Sequence, residues 1–135
     1  MKRVVLDASA VMNFLEGRPG AEKVEQLFEQ AIEGKAELLM SIVNWGEVYY
    51  SIWRTKGIER AESALASLAQ LPIDLVCPDM ELTKIAAQFR AENKLPYADC
   101  FAAALAVDRK AILATADKDL VVAEKEIRIL WVNAN

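Results

Sequence analysis

The chain has 135 residues, 54% of them hydrophobic and 27% charged, which suits one folded domain spanning 1–135 rather than a disordered segment. It contains no histidine, which excludes imidazole triads, two-histidine nuclease chemistry and histidine-containing zinc sites. Its 20 acids against 16 bases leave a net charge of −4, at first reading unfavourable to a nucleic-acid partner.

In chain order, Val4-Val5-Leu6 is a short apolar run that stops at Asp7, too soon for a signal peptide. Ala21–Ile32 has helical period, with Val24, Leu27, Phe28, Ala31 and Ile32 on one stripe. Glu37–Ile42 is a second predicted strand, followed by a helix over Asn44–Lys56 that Gly57 stops. Ile58–Leu71 carries Ala61, Ala64, Leu65 and Leu68 on another helical stripe, and Ile73–Val76 is the third strand. Met80–Glu92 repeats the pattern with Leu82, Ile85, Ala86 and Phe89, and Pro96 opens a further helix to about Val107. Ala111–Thr115 and Ile127–Val132 complete five predicted strands. The strands are apolar on both faces, and strands alternating with helices imply a three-layer α/β/α sandwich around a mainly parallel sheet. Cys77 and Cys100 form no CxxC pattern and read as two buried small hydrophobes in a reducing compartment. The longest uncharged stretch, Ser63–Ile73, has 11 residues against the roughly 20 a bilayer span needs, so a soluble, cytoplasmic protein without membrane contact is expected.

In an open parallel sheet, ligands bind outside the carboxyl ends of the strands. Asp7 directly follows the first strand and Asp117 the fourth. Glu47 is predicted in the first turn of the helix after the second strand, and Asp99 in the first turn of the helix that Pro96 opens. Singly, each acid also suits a helix cap, a helix dipole or a solvated turn. Jointly they gather four carboxylates on one edge. Two unit charges about 4 Å apart repel by roughly 4 kcal/mol at an effective dielectric of 20, so such a cage calls for a counter-ion. All-oxygen ligation selects a hard cation, Mg²⁺ or Mn²⁺, the usual companion of phosphate chemistry. The four charges of the cage equal the whole net charge of −4, which removes the objection to a nucleic-acid partner. Phosphate cradles of other kinds are absent: there is no GxxxxGK[ST] loop and no GxGxxG turn. Asp7-Ala8-Ser9 also lacks the Asp-x-Asp of a haloacid-dehalogenase phosphatase, and the acidic pair and late lysine of a response-regulator receiver do not occur.

Four segments in order carry a family likeness: Val5-Leu6-Asp7-Ala8-Ser9-Ala10, Ser41-Ile42-Val43-Asn44-Trp45-Gly46-Glu47-Val48-Tyr49-Tyr50, Leu95-Pro96-Tyr97-Ala98-Asp99-Cys100-Phe101-Ala102-Ala103-Ala104 and Leu113-Ala114-Thr115-Ala116-Asp117-Lys118-Asp119-Leu120. Together, over essentially the whole chain, they resemble the PIN-domain ribonucleases, in particular the VapC-type toxins of toxin–antitoxin pairs. The resemblance implies Mg²⁺- or Mn²⁺-dependent cleavage of RNA, inhibition by a cognate antitoxin, and a homodimer. Either Asp117 or Asp119 suits the fourth ligand, and placement directly after the strand favours Asp117.

Ser9 and Thr115 are expected beside the acids as auxiliary hydroxyls. Arg54, seven residues after Glu47, and Arg90 with Lys94 ahead of Asp99 are candidate contacts to substrate phosphate, although charged helix faces are commonly only solvated. Trp45, Tyr49, Ile52 and Trp53 form a stripe suited to core packing, with part left for an antitoxin or a second subunit. The alternative to an enzyme is a PIN-like module that binds RNA or protein without catalysis.

Overall fold

The computed structural model describes residues 1–134. Five parallel strands, β1 (Lys2–Leu6), β2 (Ala36–Ser41), β3 (Asp74–Val76), β4 (Ile112–Thr115) and β5 (Ile129–Trp131), lie in the order β3-β2-β1-β4-β5. The helices are α1 (Ala8–Leu15), α2 (Ala21–Ile32), α3 (Ile42–Lys56), α4 (Ile58–Leu68), α5 (Met80–Glu92) and α6 (Tyr97–Arg109), with a 3₁₀ helix over Lys118–Ala123 after β4. No helix is long and apolar enough to cross a membrane among the described residues.

Central β1 shows why the sheet is parallel and covered on both sides: Val4, Val5 and Leu6 are all fully buried, so neither face tolerates water. Val4 and Leu6 pack with Leu38, Met40 and Ala114 against α1 to α4. Val5 packs with Leu39 and Leu113 against α5, α6 and the 3₁₀ helix. The two edge strands have only three residues each, which limits exposed backbone. Both chain directions out from β1 diverge, to β2 and β3 on one side and to β4 and β5 on the other. The carboxyl ends of β1 and β4 therefore flank the switch point, where a crevice opens.

Helix α6 has the most buried residues of the described helices. Cys100, Ala102, Ala103, Ala104, Leu105 and Ala106 are fully buried, and the small alanines let the helix lie close against both the sheet and α5. At the start of α2, Gly20 adopts φ +105°, and a Cβ there would stand 3.0 Å from the backbone of Val132.

Several boundaries differ from the sequence reading. β2 ends at Ser41 rather than Ile42, because the Ser41 hydroxyl accepts from the Val43 amide at 3.2 Å and starts α3 there. Helix α3 thus begins two residues before Asn44, and Glu47 falls in its second turn. Helix α4 stops at Leu68, short of Leu71, ahead of Pro72. Ile32, the last residue of α2, is exposed, and Cys77 is exposed too, leaving Cys100 as the buried thiol. Ala103→Leu should overpack α6 and cost about 1–3 kcal/mol in urea unfolding. Ala91→Leu, on the exposed side of α5, should stay within about 0.5 kcal/mol.

Candidate active site

Asp7 leaves β1 with its side chain turned inward and is 1% exposed. Its Oδ1 accepts from the Ala10 amide at 2.9 Å, capping α1, and from the Ser9 hydroxyl at 2.8 Å. Its Oδ2 accepts from the Thr115 hydroxyl at 2.5 Å. An ionised carboxylate offers about four lone-pair sites, so three donors leave one site on Oδ2 unspent. Each hydroxyl also accepts: Ser9 Oγ from the Ala116 amide at 2.9 Å, Thr115 Oγ1 from the Asp117 amide at 2.9 Å. With both protons committed to Asp7, the 3.2 Å approach of Ser9 Oγ to Thr115 Oγ1 carries no hydrogen bond of its own. The network fastens β1 to β4 and sets the position of Asp117. Burial still pushes the Asp7 carboxyl up to about 6, against the Thr115, Ala10 and Ser9 donors that lower it, with the charge of Asp117 adding to the rise.

Asp117 caps the 3₁₀ helix by accepting from the Asp119 amide at 3.0 Å. Its charge acts on Asp7, Glu47 and Asp99 alike, whereas Asp119 acts on none of them and is exposed. Asp99, in the first turn of α6, is 5% exposed, and its Oδ2 is buried without a hydrogen-bond partner. Burial, then the neighbouring Asp117 carboxyl, then the charges of Asp7 and Glu47, push it up to about 8. Glu47 is half-buried, and burial together with Asp117 raises its carboxyl above the usual range.

Asn44 is a further site residue, one that the sequence reading took as the start of a helix. It is fully buried, and its amide donates to the Ala98 carbonyl at 3.0 Å and to Glu47 Oε1 at 3.5 Å. It thereby ties the Glu47 turn of α3 to the Asp99 turn of α6. The available signal was its spacing of three from Glu47, which puts the two on one helix face.

The other candidates fall outside this cluster. Arg54 is exposed on α3, and Arg90 donates to the Asn93 carbonyl at 3.3 Å, at the end of its own helix. Ile52 is buried, Trp45 and Tyr49 pack on the α1–α4 side, and Tyr49 donates to Glu62 of α4 at 2.6 Å. Trp53 is 46% exposed, its ring edge-on to Tyr49 with centroids 5.5 Å apart.

The four acids share one field, yet no three Asp, Glu, Cys or His side chains form a preformed metal-binding cluster among the described residues. The donor chemistry still fits a hard divalent cation: the ligands are all oxygen, Asp99 Oδ2 is buried and unpartnered, and Asp7 Oδ2 keeps a free lone pair.

A family model for the PIN domain matches residues 4–126. No curated protein matches the sequence. The structure resembles VapBC2 from Rickettsia felis, solved bound to a DNA fragment from their promoter, with TM-score 0.73 and 14% identity over 95% of this chain and 97% of that chain. It resembles VapBC-1 from nontypeable Haemophilus influenzae with TM-score 0.73 and 17% identity over 98% of this chain and 99% of that chain. It also resembles Mycobacterium tuberculosis VapC20, described as a Sarcin-Ricin loop cleaving toxin, with TM-score 0.69 and 16% identity over 89% of this chain and 94% of that chain. At these identities the likeness is one of fold.

Raised carboxyls make stability fall with pH. Unfolded Asp99 ionises near 3.8, while the folded protein holds its proton to about 8, so each pH step between those values favours unfolding. In chelator, Asp99→Asn should melt no lower than wild type at pH 7. Its advantage should grow from about pH 4 to 8 and level off above, as followed by thermal melts. A large loss of melting temperature would instead make Asp99 a structural residue. Thr115→Val, close in shape, should cost about 1–3 kcal/mol in denaturant unfolding, because Asp7 loses a donor and the Asp117 amide an acceptor.

Proposed function

The chain belongs to the PIN domain family, and we propose that within it the protein is a VapC-like toxin, a Mg²⁺- or Mn²⁺-dependent endoribonuclease restrained by a cognate antitoxin. The observation that carries this reading is the Asp99 carboxyl, buried with an unpartnered Oδ2 where the charges of Asp117, Asp7 and Glu47 all act on it. All-oxygen donors of this kind would suit a hard divalent cation, the counter-charge that phosphodiester chemistry uses.

Asp7 through Oδ2, Asp99 through Oδ2, Asp117 and Glu47 would hold the ion, in part through water. Bound there, it supplies Lewis-acid stabilisation of the phosphate charge and an acidified water. Ser9 and Thr115 keep Asp7 ionised and oriented, as outer hydrogen-bond partners of a ligand do. Asn44 engages Glu47 Oε1 and leaves Oε2 free to take a proton from the attacking water. With no histidine in the chain, carboxylate oxygen and solvent must handle the protons. Attack by water on phosphorus, with the P–O3′ bond breaking and O3′ taking a proton from solvent, leaves 5′-phosphate and 3′-hydroxyl ends, whereas attack by the ribose 2′-hydroxyl would leave a 2′,3′-cyclic phosphate.

The fold likeness to VapBC structures supports an antitoxin as the regulating partner, and the name of the VapC20 structure supports RNA as the substrate class. A homodimer in the cytoplasm completes the proposal. Induction of wild type followed by sequencing of RNA 5′ ends should give discrete new 5′-phosphate ends. Asp99→Asn should reduce them by roughly 100-fold or more, beyond the 10–100-fold that loss of an outer partner costs a metal site. Chelator should suppress cleavage of purified RNA, and Mg²⁺ or Mn²⁺ should restore it. Products ending in 2′,3′-cyclic phosphate would overturn the mechanism.

A further inference from the structure

Beside the carboxylates, on the α5 and α6 side of the sheet, lies a groove of about 630 Å³. Val121, Val122 and Trp131 give it an apolar wall, and Lys94 and Lys118 supply its cations. Its place follows from the sheet. Trp131 is the register partner of Thr115, the residue that holds Asp7, so the two side chains stand on the same face about 4.8 Å apart, one strand spacing. Lys118 directly follows Asp117, and Lys94 precedes the turn that carries Asp99. The 3₁₀ helix buries Leu120 and Ala123 and leaves Val121 53% and Val122 38% exposed toward the groove.

We propose that this groove is a subsite for an unpaired stretch of the RNA strand, with one base stacked on Trp131 against the two valines and the flanking phosphates on Lys94 and Lys118. The proposal rests on the nuclease reading for its substrate. An aromatic platform bordered by cations, next to the reacting phosphate, is what a single-stranded nucleic acid requires. Asp119 and Glu124 face the same groove and bring its formal charge to zero. The groove therefore cannot hold a duplex by phosphate contacts alone, and base contact has to provide the affinity. That favours a splayed nucleotide, the form in which single-stranded RNA presents its bases. Trp131 is a positioning residue in this scheme and takes no part in the chemistry.

The test uses the Asp99→Asn chain, which prevents cleavage, and the anisotropy of a labelled single-stranded oligoribonucleotide in Mg²⁺. Trp131→Ala should weaken binding about 10-fold and Trp131→Phe by no more than about threefold, in line with base–aromatic stacking. An abasic residue walked along the oligomer should, at one position, weaken binding to the Trp131 chain by the same factor and leave the Trp131→Ala chain unaffected. In the cleaving chain, Trp131→Ala should raise KM by about that factor, with kcat changing less. Losses that add in the abasic cycle, or unaltered binding by Trp131→Ala, overturn the subsite. If the Trp131 variants fail to fold, the pair Lys94→Ala and Lys118→Ala, both at exposed positions, should reduce the log–log salt slope by about 1.4. An unchanged slope again overturns it. Cleavage by wild type with an additive cycle removes the groove and keeps the nuclease. Coupled binding without metal-dependent cleavage keeps the groove and removes the nuclease. A groove that docks a protein segment would show itself by variants that bind RNA as wild type does.

Discussion

The carboxyl edge of the sheet is organised around the cost of keeping one buried carboxylate, Asp7, available as an anion. A group that is 1% exposed is expensive to ionise, and three donors are spent on it: an α1 amide and the hydroxyls of Ser9 and Thr115. Those hydroxyls are in turn fixed by the amides of Ala116 and Asp117. The chain after β4 is thereby placed by the same bonds that serve Asp7, and Asp117 arrives beside it as a consequence. Asn44 does for α3 and α6 what Thr115 does for β1 and β4. Two polar junctions thus assemble four acids from four distant segments.

The arrangement works against the stability of the fold. A hydrophobic core on both faces of β1 and a helix of close-packed alanines hold together a cluster in which the charge of Asp117 helps to raise the carboxyls of Asp7, Glu47 and Asp99. Asp99 bears most of this, since burial and all three neighbours act on it in the same direction. Functional sites commonly violate the local rules that the rest of a structure obeys, and perturbed carboxyls in a crevice are a usual form of that violation.

Much of this was legible in the sequence because it depends on patterns that local chemistry enforces. Apolar runs ending in Asp7 and after Thr115 marked strand ends, and the alternation of strands with helices fixed which edge those ends share. What could not be read was decided by competition between similar residues. Ser41 and Asn44 both suit a helix cap. Ser41 takes the cap, so Asn44 is freed to point inward and Glu47 moves to the second turn. Lys118-Asp119-Leu120-Val121-Val122 has no helical period long enough to announce a 3₁₀ turn, and its β-branched valines argue for strand. Neither did Trp131 stand out, since one aromatic at the end of an edge strand acquires meaning only from its register with Thr115.

The strand order has a consequence for the birth of the molecule. The central strand β1 is made first, but one of its two neighbours, β4, is made after most of the chain. Asp7 stays without the Thr115 hydroxyl, and the cluster without Asp117, until residue 117 of 135 has been synthesised. Contacts so distant in sequence form late. A translation product that stops before Asp117 lacks the full set of four acids, and the edge that gathers them is completed only when β4 has docked beside β1.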